Sequence, residues 1–297
     1  MTKYKFLFWA PLSNFEAERQ PIELATNLHI TVASQYEKQL LSELKAKWTN
    51  IRFSDFLLRL TLDKEEPEQA PNIYLSEART QVVKAVSLFR LFRSQPIGFN
   101  VIVQQYSNDV SYAYSANAFL HYMLWANTDS KLSTEIYRLN KQEIKEFTSF
   151  FLAHDLPAIP KINLAIDYFN KSYIEPYTPR DSFLDIIICL ENLFLKGTER
   201  ELSYKLSMRM AHLLGENVEE RDKVFQFIKA AYSRRSKIVH GSDVKTPSED
   251  DLFRIRDLAR RSIRYLLQNI GLWSGAEQDK IILGDTFYPN HLMEQTL

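Results

Sequence analysis

One cysteine, Cys189, stands in the whole chain, so no disulfide can form within it and a cysteine-based metal site has almost nothing to draw on. The same scarcity suits a reducing compartment. Seven glycines and eleven prolines in 297 residues are too few for long flexible or repetitive segments. Net charge is also missing: 37 Lys and Arg balance 37 Asp and Glu. That argues against a globally basic nucleic-acid binder and leaves only a local basic patch. No apolar run approaches the roughly eighteen residues of a membrane span. The start, "MTKYKFLFWAPLSNFE", has an apolar run too short and too aromatic for a secretion signal, so it reads as a first strand. The expected location is the cytoplasm. Gly-rich phosphate loops, Gly-x-Ser-x-Gly elbows and His-Glu-x-x-His pairs are absent too.

What the chain does have is a 45% hydrophobic and 25% charged composition, enough to bury a sizeable core. The first half mixes two periods. "YKFLFWA", "LHITVAS" and "FLLRLTL" read as strands. "SQYEKQLLSELKAKW" reads as a helix with Tyr36, Leu40, Leu41 and Leu44 on one side. "SEARTQVVKAVSLFRLFRS" is a second helix, with Ser76 placed as its N-cap and Pro96 soon after its end. "GFNVIVQQY" and "VSYAYSANAF" suggest a hairpin turning near Asn108-Asp109. As a strand the latter puts Tyr112 and Tyr114 on one face, where packing is favoured over a base-stacking platform. "IYRLNKQEIKEFTSFFLAH" reads as a short strand and then a helix.

"HDLPAIPKI", residues 154–162, interrupts the pattern with two prolines and marks an expected boundary. Everything after it is helical. "INLAIDYFNKSYI" comes first, then "PRDSFLDIIICLENLFL", apolar almost all round and so expected to be the buried central helix. "ERELSYKLSMRMAHLLG" carries a stripe of Leu202, Leu206, Met210, Leu213 and Leu214. "NVEERDKVFQFIKAAYSRRSKIVHG" is closed by Gly241. For "TPSEDDLFRIRDLARRSIRYLLQNIG" the expected start is Thr246 as N-cap, Pro247 at N1 and Glu249 at N3. The fold class expected is an α+β N-terminal region followed by an all-α antiparallel helical bundle.

The end of the fourth helix holds Arg234, Arg235, Ser236, Lys237 and His240. Five residues on a helix turn about 140° over about 7.5 Å, so Arg235 and His240 do not share a face. Basic residues in a last turn offset the helix dipole, and on spacing alone that reading is favoured. The other reading is chemical. A histidine at a helix C-terminus can move protons near neutral pH, and an arginine beside it can hold a phosphate by two hydrogen bonds.

Three blocks shift the balance: "DSFLDIIICLENLFL", "ELSYKLSMRMAHLLG" and "RRSKIVHG", in that order. Together they resemble the Apea-like branch of the HEPN superfamily, whose closing Arg-Ser-x-Ile-Val-His-Gly segment is matched in full from Arg235 to Gly241. The resemblance covers about residues 161–271. It leaves 1–155 as an α+β region with an expected sensing or regulatory role, and 272–297 as a C-terminal tail. It implies a HEPN-like helical bundle that dimerises. It also implies a metal-independent endoribonuclease with no cofactor and no metal, in a toxin or phage-defence setting. RNA is then the implied substrate, and no membrane is involved. Arg235 would stabilise the phosphorane and His240 would handle protons, with two motifs facing each other across a dimer to make a composite site. Members of the superfamily that do not cleave RNA imply the alternative, a non-catalytic module for dimerisation or for binding RNA or protein.

The remaining candidates carry two readings each. Ser236 positions substrate or caps locally. Arg234 and Lys237 contact phosphate or are solvated neighbours. Glu191 is expected to pair with Arg209 inside the bundle, or else to support the Arg235/His240 site. Arg256, Arg260 and Arg264 fall at i, i+4 and i+8 as a basic stripe, either an RNA-binding groove or, as zero net charge favours, a solvated face. His212 reads as a bundle residue, and no histidine (His29, His121, His154, His212 or His291) has metal-ligand spacing to another or to Cys189.

Overall fold

A computed structural model of the 297-residue chain describes residues 4–47, 53–64, 73–106, 110–114, 136–154, 156, 160–173, 178–241, 244–269 and 275–282. They form two compact units. The first holds residues 1–163 and 170–182, the second 164–169 and 183–297.

The first unit is built on an antiparallel sheet. Its strands are β1 (Tyr4–Ser13), β3 (Ile22–Ala25), β4 (Leu28–Val32), β5 (Phe56–Lys64), β6 (Gly98–Phe99), β7 (Ile102–Tyr106) and β8 (Val110–Tyr114). The order is β3-β4-β5-β1-β7-β8, with β6 paired to β1 beyond the end of β7. A separate parallel pair joins β2 (Phe15–Ala17) to β9 (Tyr137–Leu139). β1 lies between β5 and β7, and its apolar run is buried from Phe8 through Leu12. Pro11 is tolerated in this interior strand because pairing with β7 stops at Trp9 and pairing with β6 begins at Leu12.

Three helices cover this sheet region: α1 (Gln35–Lys47), α2 (Ile73–Phe92) and α3 (Lys141–Ala153). Trp9, Ala33, Leu41, Leu57, Val101 and Val103 form one core cluster, with Leu40 and Phe53 packed on it. A second, aromatic cluster holds Phe15, Phe89, Tyr137 and Phe147, with Phe89 and Phe147 stacked at 3.9 Å. The Tyr137 hydroxyl is satisfied there by donating to the Phe89 carbonyl at 2.8 Å. Asn140 and Glu143 make a reciprocal capping box that starts α3 just after β9.

Two expectations are corrected in this unit. Tyr36 is 59% exposed, outside the apolar face of α1. In its place Glu37 turns inward, where Arg59 grips its two carboxylate oxygens at 2.7 and 2.8 Å. Ser76 is not the N-cap of α2 but sits in its first turns, because Ile73, Tyr74 and Leu75 already belong to the helix and Tyr74 packs on Phe6 at 4.6 Å. The β7–β8 hairpin forms in the register Tyr106↔Val110; its expected turn residues Asn108 and Asp109, and the side chains of Tyr112 and Tyr114, lie outside the described residues.

The Glu37 pair carries a pH dependence. Burial alone would raise its carboxyl, but the Arg59 and Ser34 hydrogen bonds and the Arg59 charge outweigh burial and hold it below the ordinary range. A lowered folded pKa contributes stability above the unfolded value, about 4.3. That stability is lost as pH falls through the folded value. Glu37→Gln should therefore lower stability at pH 7 and flatten its dependence on pH between about 5 and 3. Urea midpoints measured across that range test this; a parallel decline in both proteins would refute it.

In the second unit the helices are α6 (Leu202–Leu214), α7 (Val218–Val239), α8 (Glu249–Gln268) and α9 (Gly275–Ile282). They are joined by residues 164–169 of α4 (Pro160–Lys171) and by α5 (Pro179–Phe194) from Phe183 onward. As its composition suggests, α5 is buried along most of this length, with Ile186, Ile187, Cys189 and Leu190 all at 0% exposure. α6 and α7 form a helical hairpin around Gly215–Asn217, and Asn217 caps α7 by accepting from the Glu220 amide at 3.0 Å. A Cβ on Gly215 would lie 2.7 Å from the Arg221 backbone nitrogen, so this tight turn admits only glycine without a shift. The start of α8 is displaced from expectation. Ser248, two residues beyond Thr246, is the N-cap, and Asp251 replaces Glu249 as the N3 partner. Among the described residues no helix is long and apolar enough to cross a membrane.

Candidate functional site

The C-terminal end of α7 sends two consecutive arginines to different neighbours, since successive residues turn about 100°. Arg234 reaches the start of α8, where it donates to Asp251 at 2.7 Å, with its guanidinium 5.8 Å from the Phe183 ring. Burial would raise the Asp251 carboxyl, but Arg234 and Ser248 hold it below its usual range. Arg234 is thereby committed to joining two helices and is not the solvated neighbour expected of it.

Arg235 faces α5. Its Nε lies 3.5 Å from Glu191 Oε1, and its guanidinium is 6.0 Å from the ring of Tyr232, one turn back on α7. The Tyr232 hydroxyl donates to Glu191, and burial together with the Glu191 charge pushes the phenol above its ordinary value. Glu191 thus sits between a phenol and a guanidinium. The expected Glu191–Arg209 pair does not form. Arg209 instead forks onto Asp279 of α9 at 2.8 and 3.0 Å and also donates to the Phe194 carbonyl. Sequence position could not show this, because Arg209 is matched by a carboxylate 70 residues away.

Arg235 Nε is buried and 3.5 Å is too long for a hydrogen bond, so the carboxylate holds it by charge alone. The Arg235 and Glu191 side chains are 29% and 21% exposed, so the pair remains open to solvent at one side. No hydrogen bond engages Nη1 or Nη2 of Arg235 among the described residues. Those four N–H groups are the geometry that grips a phosphate.

α7 stays helical through Val239, and His240 is its C-cap, its amide donating to the Ser236 carbonyl at 3.1 Å. Gly241 then turns away at φ 69°, a left-handed conformation suited to glycine. His240 and Lys237 are exposed, and Ser236 is half-buried. Because the helix does not loosen before His240, the five-residue spacing sets Arg235 and His240 about 140° apart around α7. A single chain therefore presents an arginine held on one side and an exposed histidine on another.

The arginine stripe of α8 is corrected in both its readings. Arg256 and Arg260 are only 8% and 6% exposed, and Arg264 is half-buried, so they form neither a solvated face nor an open groove. Arg260 pairs with Asp257 at 2.7 Å, and neighbouring Arg261 donates to the Leu214 carbonyl that ends α6. Half-buried His212 lies below its ordinary pKa through burial and the Arg221 charge. His121 and His291 fall outside the described residues. Among the described residues no three His, Cys, Asp or Glu side chains cluster as metal ligands.

Sequence reasoning missed Tyr232 and Asp251. The signal for Tyr232 was its place three residues before Arg235, on the same side of α7. Comparison with known proteins adds no further constraint: no family model, curated protein or solved structure matches this chain.

Proposed function

We propose that this chain is a metal-independent endoribonuclease of the HEPN type, acting in a reducing cytoplasm, with a site composed from two copies. The observation that supports it is Arg235, backed by Glu191 and Tyr232 and, among the described residues, without hydrogen bonds on its Nη atoms, five residues before an exposed histidine cap at the end of the same helix. Arg235 would hold the non-bridging oxygens of a phosphodiester and stabilise the charge that builds on them. One His240 would take the proton of the adjacent 2′-hydroxyl as its oxygen bonds to phosphorus. A second histidine, brought by the second copy, would give a proton to the departing 5′-oxygen. The products are a 2′,3′-cyclic phosphate and a 5′-hydroxyl. Ser236 and Lys237 would sit at the edge of this site, and Glu191 acts through Arg235 as a positioning residue.

The competing reading is a binding module, in which the Arg235–Glu191 pair only ties α7 to α5. Incubation of the full chain with mixed RNAs in EDTA separates the two. Fragments ending in 2′,3′-cyclic phosphate support the nuclease. Intact RNA beside a protein shown to be folded and dimeric supports the module.

A further inference from the structure

The outward face of α7 carries a basic strip that runs back from His240 and ends on two aromatic rings. At about 100° per residue, Lys229, Ser233, Lys237 and His240 lie within about 80° of arc. All four are exposed. Phe225 adjoins the strip one turn before Lys229, whose ammonium is 5.6 Å from the Phe225 ring centre. Tyr204 of α6 packs edge-on against the same ring, at 5.9 Å and 78°, and is itself 53% exposed.

An exposed tyrosine braced by a second ring is a poor candidate for core and a good surface for a flat π-system. The cation beside it suits a phosphate. Between Phe225 and His240 no aliphatic side chain lies on this arc, which disfavours an apolar helix of a protein partner. Asp222 and the Lys223–Glu219 pair mark the other end, where the charge turns acidic. The strip from Phe225 to His240 is about 22 Å long, room for a few nucleotides in single-stranded form.

We infer that Tyr204 and Phe225 form a nucleobase-stacking subsite for single-stranded RNA, with Lys229 and Lys237 contacting the phosphates between that base and the His240 site. This rests on the ribonuclease reading for its substrate and extends it to a second contact several nucleotides from the bond cleaved. A base there selects unpaired strands, because stacked and paired bases cannot present a face to Tyr204.

The test uses the full chain and fluorescein-labelled ten-nucleotide 2′-O-methyl RNAs, which cannot be cleaved because the attacking hydroxyl is blocked. Anisotropy is read for an oligoadenylate, an oligouridylate and a duplex. The single strands should bind, Tyr204→Ala should weaken them about ten-fold, and Tyr204→Phe should restore affinity. Lys229→Gln should weaken binding and reduce the salt slope by about 0.7. Unchanged affinity in Tyr204→Ala, equal binding of the duplex, or no binding at all overturns the subsite. So does a change in self-association with RNA affinity intact, which would assign Tyr204 to a second copy. Binding as expected, with no cleavage of ordinary RNA, keeps the subsite and removes the catalytic reading. Cleavage that needs His240 but ignores Tyr204 does the reverse.

Discussion

His240→Ala should lower metal-free RNA cleavage by a hundredfold to ten-thousandfold, roughly the range for losing a positioned acid–base group. His240 is exposed at the end of α7 and its side chain bonds to none of the described residues, so the variant should fold as before. Arg235→Ala should cost about a hundredfold or more, the scale for removing one donor group from developing transition-state charge. Arg235→Lys separates charge from shape. A lysine restores the positive charge but not the fork, so it should recover little. Glu191→Gln keeps the volume and the contact with Tyr232 while removing the counter-charge, and should lower kcat more than it raises KM. Rates are read by release of cyclic-phosphate ends with EDTA present. Equal rates in wild type and both alanine variants would identify a contaminating nuclease and end the case for this site.

Arg209→Ala should destabilise the helical unit by about 3 kcal/mol. The Arg209 side chain is 3% exposed and serves three acceptors on different elements: the Phe194 carbonyl ending α5, the Thr198 hydroxyl and the Asp279 carboxylate of α9. Removing it strands a buried carbonyl and opens a hole in the same place. Asp279 is 45% exposed, so Asp279→Asn, which leaves the arginine and its other bonds, should cost under about 1 kcal/mol. Urea denaturation followed by far-ultraviolet circular dichroism reads both. A mild Arg209→Ala would mean that α9 is held by its other contact, Gln278 donating to the Leu193 carbonyl at 3.0 Å.

The contrast between these two arginines shows where sequence reading stops. Periodicity announces β1, β4, β5 and the helices α5 to α7, because strands and helices repeat at different intervals and these segments are long enough to show it. β2, β3 and β6 are two to four residues long, and no period can emerge from so few. At the start of α8 two capping patterns overlap, Thr246 to Glu249 and Ser248 to Asp251, and only the second lets Asp251 also receive Arg234. The arginine stripe of α8 was legible as a stripe; whether it faced water depended on what packs against it. Arg235 and His240 were legible as a short motif, and their divergence followed from helix geometry. That Glu191 would attend Arg235 instead of Arg209 depended on the arrangement of α5 against α7, which no local pattern encodes.

Cys189 has a practical consequence of another kind. Its side chain is at 0% exposure on α5, and burial raises its thiol far above the range where thiolate forms at neutral pH. The folded chain should therefore be silent toward maleimides and disulfide reagents, and one thiol per chain should report when unfolding agents expose α5. A cysteine placed by mutation on the outer face of α7 would then be the single reactive handle. A spin label or dye there could measure the separation of two copies without removal of the native residue.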